Sequence, residues 1–466
     1  MVFIFFMFLV FALAIGSRGF LHPDEHYQVI EYMNVFLGRF DHTVLSPLEW
    51  KEMMRPWFQP IVYAGPVSLL RSMTGLHPYL EATLLRVFSA CLALVWLLPL
   101  FKNTLNQMKE VKMKRSLLWI FSFIAPWFVL YLSVRTSSDT VGAHLFMIAL
   151  SLLGLPFEFR NVGRMGVRNL YLFALLCGLS ILVRYQMIVW VGWSFLYYLK
   201  QRKWSYRHIL SAGAVTLVIC TLEPIFNYWA RGLWFSSTFN HIDQNLFHGV
   251  AATFGTLPWW GYLKIFFKEG LPPLCLFYFY IGLRHIVKDR SFLIAQLVMV
   301  SLIFFSLIGH KEARFLTPTL FLMSYMLALF LPRLRYGPVA LIGGLNFLIT
   351  IALIFKPAYR PLVIYDAIDE IYKKGQTIYV LKDHKGRELT FELHHYQRVH
   401  PWKVESYGPG VNGPVVSSTY AQYEYLLTQD CALKELSYPR WLLRNNSFGW
   451  RDRSNIWGVW LCGSSK

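Results

Sequence analysis

Apolar residues fill most of the chain in long runs that short polar loops separate. Several runs are shorter than the ~20 residues that a straight membrane span requires, so some are expected to be broken or to border water-filled protein interior. The first run lacks the basic start and the small-residue cleavage site of a signal peptide and is interpreted as a retained span. Eleven runs have the composition of membrane-spanning helices: 2–17, 79–101, 116–134, 140–156, 169–183, 186–199, 208–222, 271–285, 291–309, 315–331 and 337–355.

The composition agrees with this pattern. Hydrophobic residues make up 55% of the 466 residues and charged residues only 15%, against about 25% charged residues in soluble domains. Residues 1–356 are therefore predicted to form an all-α polytopic membrane domain with about 11 transmembrane helices. The formal net charge of +19 comes from short basic clusters between the runs, which is typical of cytoplasmic loops, so no nucleic-acid partner is predicted.

Lysine and arginine set the expected orientation. Five basic loops lie on one side of the membrane if the N terminus is cytoplasmic: Lys102–Arg115, Arg160–Arg168, Lys200–Arg207, Arg284–Arg290 and Arg333–Arg335. This arrangement makes them cytoplasmic by the positive-inside rule. The opposite face then receives the polar segments His22–Pro78, Arg135–Asp139, Glu223–Gly270 and His310–Arg314, together with the tail after Lys356.

The tail, residues 357–466, is charged and aromatic, unlike the runs before it. It contains a helical stretch at Leu362–Lys374 and strand-like runs at Thr377–Leu381 and Leu389–Leu393. We predict a small extracytoplasmic domain of mixed α/β structure. Cys431 and Cys462 could form a disulfide there if the compartment is oxidising, or could remain two unpaired thiols.

The sequence H-P-D-E at positions 22–25 follows the first apolar run directly. Proline fits the first turn of a helix, where the helix dipole favours ionised carboxylates. A short amphipathic helix is therefore predicted along the membrane surface, ending at Gly38, with Asp24 and Glu25 at its start. The residues alone do not choose between these two carboxylates as a general base.

A metal site is not predicted. His22 and His26 are four residues apart, but the proline keeps His22 out of the helix and no third ligand is evident. No Asp-x-Asp pair occurs in the extracytoplasmic loops before the tail, which favours chemistry without a metal–phosphate complex.

Carboxylates and cations on one membrane face suit a transfer between an anionic lipid-linked donor and a hydroxyl acceptor. A carboxylate takes the acceptor proton, and arginine or lysine stabilises the departing phosphate. Each signal also has a structural interpretation. Arginines at helix ends can be membrane anchors, Trp259 can belong to the interfacial aromatic belt, and Glu312 can simply pair with Lys311.

Taken in order, these motifs resemble glycosyltransferase family 22, the polyprenyl-phosphate-mannose-dependent mannosyltransferases of GPI-anchor and N-glycan precursor assembly. The resemblance covers residues 20–320 and implies a GT-C fold, inverting chemistry without metal or cofactor, and Asp24 as the catalytic base. Two positions depart from the family pattern, Glu223 in place of Asp and Arg184-Tyr185-Gln186 in place of Arg-Pro-Thr. The matching segments are H-P-D-E with Tyr27-Gln28, Glu49-Trp50 with Arg55 and Pro60, Arg135-Thr136, Phe239-Asn240 to Asn245, Gly255 to Tyr262, and His310-Lys311-Glu312-x-Arg314-Phe315.

The predicted function is the transfer of mannose, or a related hexose, from a polyprenyl-phosphate-sugar to a hydroxyl of a glycolipid or glycan. Asp24 and Glu25 are the catalytic candidates. The donor phosphate is assigned to the basic residues Arg135, Arg184, His310, Lys311 and Arg314. The substrate-binding candidates are His22, Gln28, Glu49, Trp50, Arg55, Glu223, Asn240, Trp259, Tyr262 and Glu312.

The enzyme is expected in a bacterial plasma membrane with its site facing the periplasm, or in the endoplasmic reticulum with its site facing the lumen. Its length is short for the eukaryotic enzymes and suggests a distant prokaryotic member. One alternative is a transporter or flippase of a lipid-linked sugar, which would have inverted repeats and charges near span midpoints; no repeat is apparent and the charges cluster at one face. Another is the same fold transferring a pentose or an aminosugar.

Overall fold

The computed structural model describes residues 2–108, 117–155, 166–201, 204–269, 274–288, 292–372, 376–382, 390–398, 401–408 and 410–463. Parts of the predicted basic loops lie outside these residues, at 109–116, 156–165, 202–203 and 289–291. Three end residues of predicted segments also lie outside the described residues: Gly270 of Glu223–Gly270, Lys374 of Leu362–Lys374 and Leu389 of Leu389–Leu393.

Helices form most of the described chain before residue 372. Their bounds are α1 Val2–Gly16, α2 Glu31–Phe36, α3 Pro47–Lys51, α4 Phe58–Thr74, α5 Pro78–Met108, α6 Leu117–Ile124, α7 Trp127–Ser133, α8 Ser138–Leu152, α9 Val167–Val183, α10 Ile188–Gln201, α11 Tyr206–Cys220, α12 Glu223–Arg231, α13 Ser237–Ile242, α14 Val250–Thr253, α15 Gly261–Glu269, α16 Leu274–Lys288, α17 Leu293–Leu307, α18 Thr317–Phe330, α19 Tyr336–Ile354 and α20 Leu362–Ile371.

Every one of the eleven apolar runs contains helix, but the number of spans stays a prediction. By length and hydropathy, four helices of the described chain could cross a membrane, or five if the bent pair α16–α17 forms one span. The run 116–134 divides into α6 and α7 at Pro126, because proline lacks an N–H and disfavours helical geometry in the residue before it.

Close helix packing builds the core of this helical body. The rings of Phe6 and Phe121 stack, and Trp96 Nε1 donates a hydrogen bond to His144 Nδ1 at 3.1 Å. Gly343 lets α19 approach α6, because a Cβ atom at this position would overlap the carbonyl oxygen of Trp119. The contact therefore depends on the absence of a side chain.

The helix that follows the first apolar run begins at Pro23 and ends at Phe36, and residues Glu25–Ile30 form a wide π-helical turn. Gly38 follows with a φ of +68°. The predicted helix is confirmed, but its predicted amphipathic character is wrong. The structure buries residues 29–34 entirely, because α4 packs on one side and a segment of the tail covers the other.

The tail carries a five-stranded sheet, so the predicted mixed α/β structure is confirmed. The elements of the tail after α20 are β1 Thr377–Val380, β2 Lys403–Ser406, β3 Gly413–Ser417, α21 Tyr420–Leu427, β4 Cys431–Leu436, α22 Arg440–Leu443, α23 Trp450–Arg453 and β5 Gly458–Cys462. The strand order is β2-β1-β3-β5-β4, with β1 parallel to β2 and β3, and β5 antiparallel to β3 and β4. Cys431 and Cys462 are opposite each other on β4 and β5 and are joined in a disulfide.

The predicted strand at Leu389–Leu393 is wrong for the four residues of it that the structure describes. Residues 390–393 are irregular and lead into a 3₁₀ turn at His394–Tyr396. Phe391 and Leu393 are buried in a core with α20, and the Leu393 N–H donates to the Tyr365 hydroxyl at 3.3 Å rather than to a strand. Burial of these apolar side chains had produced the strand-like pattern.

Candidate active site

Four charged side chains meet where the first polar helix begins. Asp24 Oδ2 accepts a hydrogen bond from Arg314 Nη1, and Asp24 Oδ1 lies 3.5 Å from His22 Nδ1. His22 Nε2 is 3.2 Å from Glu312 Oε2, and that carboxylate also accepts from Arg314 Nε. The four residues close a ring in which each carboxylate contacts both cations, although the two segments are 290 residues apart in sequence.

The ring fixes the charge of its members. Burial would raise the pKa of Asp24, but His22 and the charge of Arg314 hold it well below its usual range. Burial likewise opposes ionisation of Glu312, and His22 and Arg314 lower its pKa. Burial would lower the pKa of His22, but its contacts with Asp24 and Glu312 raise it to about 9. At neutral pH the ring therefore contains two carboxylates and two cations.

The structure separates the two neighbouring carboxylates, Asp24 and Glu25. Glu25 is 2% exposed, and its Oε1 atom accepts backbone N–H groups from Leu21 at 2.9 Å and His22 at 3.2 Å. Its other oxygen accepts the Thr136 N–H at 3.4 Å. Both carboxylate oxygens of Glu25 thus accept hydrogen bonds from the backbone. The Asp24 side chain, in contrast, is 16% exposed.

A narrow cleft of about 20 Å³ lies beside the ring. Arg314 is 3.9 Å from Asp139, and Asp139 accepts from Arg184 Nε at 3.0 Å, so one carboxylate links the ring to the cleft wall. The lining residues come from five separate stretches of the chain: Gln28, Met54, Arg55, Pro56, Ser138, Leu182, Val183, Arg184, Tyr185, Ser237, Thr238 and His241.

Glu49 holds two of the cleft's polar side chains. Its Oε1 atom accepts from Arg55 Nη2 at 2.5 Å and from Gln28 Nε2 at 3.1 Å. Two nitrogen atoms near the cleft, Arg55 Nε and His241 Nδ1, are buried and have no hydrogen-bond partner among the described residues. The wall therefore combines positive charge with unused hydrogen-bonding capacity, which suits an anion.

The H-K-E-x-R-F segment, residues 310–315, packs against the loop at 255–262. His310 Nδ1 is 2.9 Å from the Gly255 carbonyl and His310 Nε2 is 2.8 Å from Glu312. Lys311 donates to the Leu257 carbonyl at 3.3 Å and lies 6.0 Å from the ring centre of the buried Tyr262. These contacts hold the loop at 255–262 against the segment that carries Glu312 and Arg314.

Other predicted site residues make structural contacts instead. Arg135 is 1% exposed and donates to the carbonyls of Ser17 and Gly19, at the end of α1. Glu223 accepts from Ser236 at 3.0 Å and from the Thr238 N–H at 2.9 Å, and so holds the start of α13.

Three further candidates, Trp50, Asn240 and Trp259, lie outside the ring of charged side chains. The Arg231 guanidinium stacks on Trp50 at 3.7 Å. Asn240 donates to the Met53 carbonyl at 3.4 Å, and Trp259 is 72% exposed.

Sequence reasoning missed two residues of this region, Asp139 and His241. Asp139 was visible as a carboxylate in the Arg135–Asp139 loop, where it begins α8, but nothing in the sequence paired it with Arg184 and Arg314. His241 had no signal beyond its position next to Asn240.

Comparison with known proteins gives a consistent result. A family model described as the Alg9-like mannosyltransferase family matches residues 1–394. The chain is 26% identical to the GPI alpha-1,2-mannosyltransferase 3 of Mus musculus over 305 residues, which cover 64% of this chain and 52% of that protein. It is 24% identical to the GPI mannosyltransferase 3 of Drosophila melanogaster over 340 residues, 70% of this chain and 55% of that protein. The chain thus spans about half the length of these curated relatives.

Among solved structures, the fold is similar to that of ArnT from Cupriavidus metallidurans bound to undecaprenyl phosphate. The TM-score is 0.59 at 12% sequence identity, and the match covers 98% of this chain and 97% of that one. At this identity the likeness concerns the fold alone, and it confirms the predicted GT-C architecture. The resemblance to glycosyltransferase family 22 is confirmed by the family match.

Proposed function

We propose that this chain, which belongs to the Alg9-like mannosyltransferase family, transfers mannose from a polyprenyl-phosphate-mannose to a hydroxyl of a glycolipid or glycan. The names of its mannosyltransferase relatives support the sugar, and the undecaprenyl phosphate in ArnT supports a polyprenyl-linked donor. The observation that carries the proposal is the pairing of the accessible Asp24 with Arg314 beside a basic cleft.

Asp24 is the general base of this reaction. It takes the proton of the acceptor hydroxyl while the hydroxyl oxygen forms a bond to C1 of mannose. The bond between C1 and the phosphate oxygen breaks on the opposite face, and its electron pair leaves with the polyprenyl phosphate. A displacement of this kind inverts the configuration at C1.

Arg314 couples the base to the donor. In the structure this guanidinium contacts Asp24 and Glu312, which makes Asp24 a weak base. A donor phosphate that shares Arg314 withdraws part of this stabilisation, because the guanidinium then faces two anions. Asp24 therefore becomes a stronger base only when the donor is bound.

The donor phosphate lies between Arg314 and the arginines of the cleft wall, Arg55 and Arg184. The carboxylates Glu49, Asp139 and Glu312 orient these arginines through direct hydrogen bonds or ion pairs. Because Asp24 and Glu312 are both paired with cations, we propose a transfer that uses no metal ion. Preorganised cations of this kind stabilise the charge that develops on a leaving phosphate.

The site faces away from the cytoplasm in this proposal, toward the bacterial exterior or the lumen of the endoplasmic reticulum. The disulfide between Cys431 and Cys462 supports this orientation of the domain 357–466, since disulfides persist mainly in oxidising compartments. The contacts of that domain with the helix that carries Asp24 support the same side of the membrane for both.

The experiment measures sugar release from radiolabelled polyprenyl-phosphate-mannose by purified protein with candidate lipid acceptors. We expect Asp24→Asn to lower turnover by about 10²-fold or more, because general-base catalysis contributes roughly 10²–10⁴-fold. Asp41→Asn is the matched control, since Asp41 lies in the same polar segment with a side chain that is 68% exposed. EDTA should leave the wild-type rate unchanged.

Near-normal turnover by a folded Asp24→Asn enzyme would rule out the assignment of the base. A loss of activity in EDTA that added metal restores would overturn the metal-free reaction. Tight donor binding without any release by the wild type would favour transport of the lipid-linked sugar.

A further inference from the structure

His241 is a cleft residue that the proposed chemistry has not used. It belongs to α13 and lines the cleft together with Arg55 and Arg184. Its ring lies 5.0 Å from that of Tyr185, and the Asn245 side chain donates to its backbone carbonyl at 2.8 Å. Helix and aromatic neighbour thus fix the position of the imidazole.

The imidazole presents an unused polar atom. His241 Nδ1 is buried and has no hydrogen-bond partner in the part of the chain that the structure describes, and the same holds for Arg55 Nε. Buried polar atoms are nearly always hydrogen-bonded in folded proteins. These two nitrogens beside one cleft therefore remain available to a ligand that accepts hydrogen bonds.

Three arginines act on His241, and each of them is paired with a carboxylate: Arg55 with Glu49, Arg184 with Asp139 and Arg314 with Asp24. Burial and the guanidinium groups of Arg55, Arg184 and Arg314 lower the pKa of His241 well below its usual range, and Asp24 opposes them only partly. Tyr185, the other titratable group in contact, has its pKa raised by burial and is neutral at pH 7. The free protein therefore holds His241 as an uncharged imidazole.

We propose that His241 takes up a proton when the donor phosphate enters the cleft and then donates a hydrogen bond to that phosphate through Nδ1. This inference rests on the proposed function. The phosphodiester of the donor adds a negative charge among the three arginines, which weakens the positive field at the imidazole and favours its charged form.

The proton has a further use during transfer. The phosphate changes from a diester with one negative charge to a monoester with two when its bond to C1 breaks. The proton of the acceptor hydroxyl goes to Asp24, and the proton already on His241 remains beside the departing phosphate. A charged hydrogen-bond donor at this place stabilises the leaving group more than a neutral one.

Proton uptake makes donor affinity depend on pH in a defined direction. The pKa of His241 is higher in the complex than in the free protein, so affinity is constant above the pKa of the complex. It rises as the pH falls from that value toward the pKa of the free protein, by at most tenfold per pH unit. The diester does not titrate in this range, and His22, with its pKa raised to about 9, is already charged.

Isothermal titration calorimetry of polyprenyl-phosphate-mannose binding without acceptor tests the inference. Measurements near pH 6.5 in two buffers with different ionisation enthalpies give the number of protons taken up per ligand. His248→Gln is the matched control, because His248 is an exposed histidine seven positions further along the same segment, paired with Asp243. We expect net uptake of up to one proton by the wild type and the control, and markedly less by His241→Gln.

Proton uptake by the wild type tests the inference on its own, so the test remains decisive even if His241→Gln does not fold. Donor binding by the wild type without proton uptake overturns the role of His241 and leaves the proposed function standing. Equal uptake by His241→Gln and the wild type does the same. Absence of donor binding at every pH overturns both the inference and the proposed function.

Discussion

Replacement of Arg314 tests how the active-site ring is held together. Arg314 contacts Asp24 and Glu312 directly and lies 3.9 Å from Asp139. Arg314→Gln removes the one cation near all three carboxylates, and it leaves Asp24 and Glu312 with His22 alone and Asp139 with Arg184 alone. Loss of one partner of a buried ion pair costs about 3–5 kcal/mol, because the other charge stays buried. The side chains of Arg314, Asp24 and Glu312 are 14–22% exposed, so we expect the lower end of this range, about 3 kcal/mol.

The pH dependence distinguishes this electrostatic effect from a packing defect. In the wild type the pKa values of Asp24 and Glu312 are lowered. Their contribution to stability is complete above the ordinary carboxyl pKa of about 4 and is lost as the pH falls through the lowered values. Without the guanidinium, the pKa values of both carboxylates rise. As the pH falls, they are therefore protonated earlier in the variant than in the wild type, and this protonation removes the buried negative charge. The deficit of Arg314→Gln should therefore be largest at pH 7–8 and should shrink toward pH 4.

Unfolding in mixed micelles of mild detergent and SDS gives the free energy difference at each pH. Lys403→Gln is the control, since Lys403 is 63% exposed in its pair with Glu405, and ion pairs between exposed side chains contribute little to stability. Arg314→Lys should lie between the wild type and Arg314→Gln, because one ammonium cannot reproduce the separate Nε and Nη1 contacts. An Arg314→Gln deficit no larger than that of Lys403→Gln, or one independent of pH, would refute the argument.

Two further predictions concern the ring and the helical body. The turnover of the wild type should decline as the pH rises through about 9, because His22 then loses its charge. His22→Gln should not show this decline. A pH profile of kcat with the same decline in both proteins would contradict this prediction. Gly343→Ala should destabilise the protein by about 1–3 kcal/mol, as overpacking does, because the new methyl group overlaps the Trp119 carbonyl, whereas a Cβ at Gly344 meets only ordinary contacts. Unfolding of Gly343→Ala and Gly344→Ala compares the two, and equal stability would contradict the packing argument.

The sequence predicted the motifs of the site but not their roles. By residue type Asp24 and Glu25 are equivalent as bases, and in the sequence only the family resemblance favours Asp24. In the structure they differ because Glu25 accepts hydrogen bonds from three backbone N–H groups. Arg135 was an equally good phosphate ligand by residue type, yet its guanidinium is directed to the carbonyls at the end of α1. Such distinctions depend on the path of the backbone, which side-chain patterns do not encode.

The cleft shows a second reason why sequence reasoning stopped short. Its wall combines residues from the polar segment after α1, the start of α8, the end of α9 and α13. No local pattern relates His241 to Arg184, because their proximity follows from the packing of whole helices. The motifs could be found one segment at a time, whereas the cleft forms only where the segments meet.

The tail shows that the support of the active site extends beyond the motifs. Glu31, on the helix that begins with Asp24, is fully buried 2.7 Å from His26, a placement that requires cover from solvent. The tail supplies this cover, since the His395 N–H donates to Glu31 at 2.9 Å and the Tyr396 ring stacks on His26. Arg39, just after the same helix, donates to the tail carbonyls of His395 and Gln397. A boundary at residue 356 therefore divides the chain by composition, but the helix that carries Asp24 is packed by residues from both sides of it.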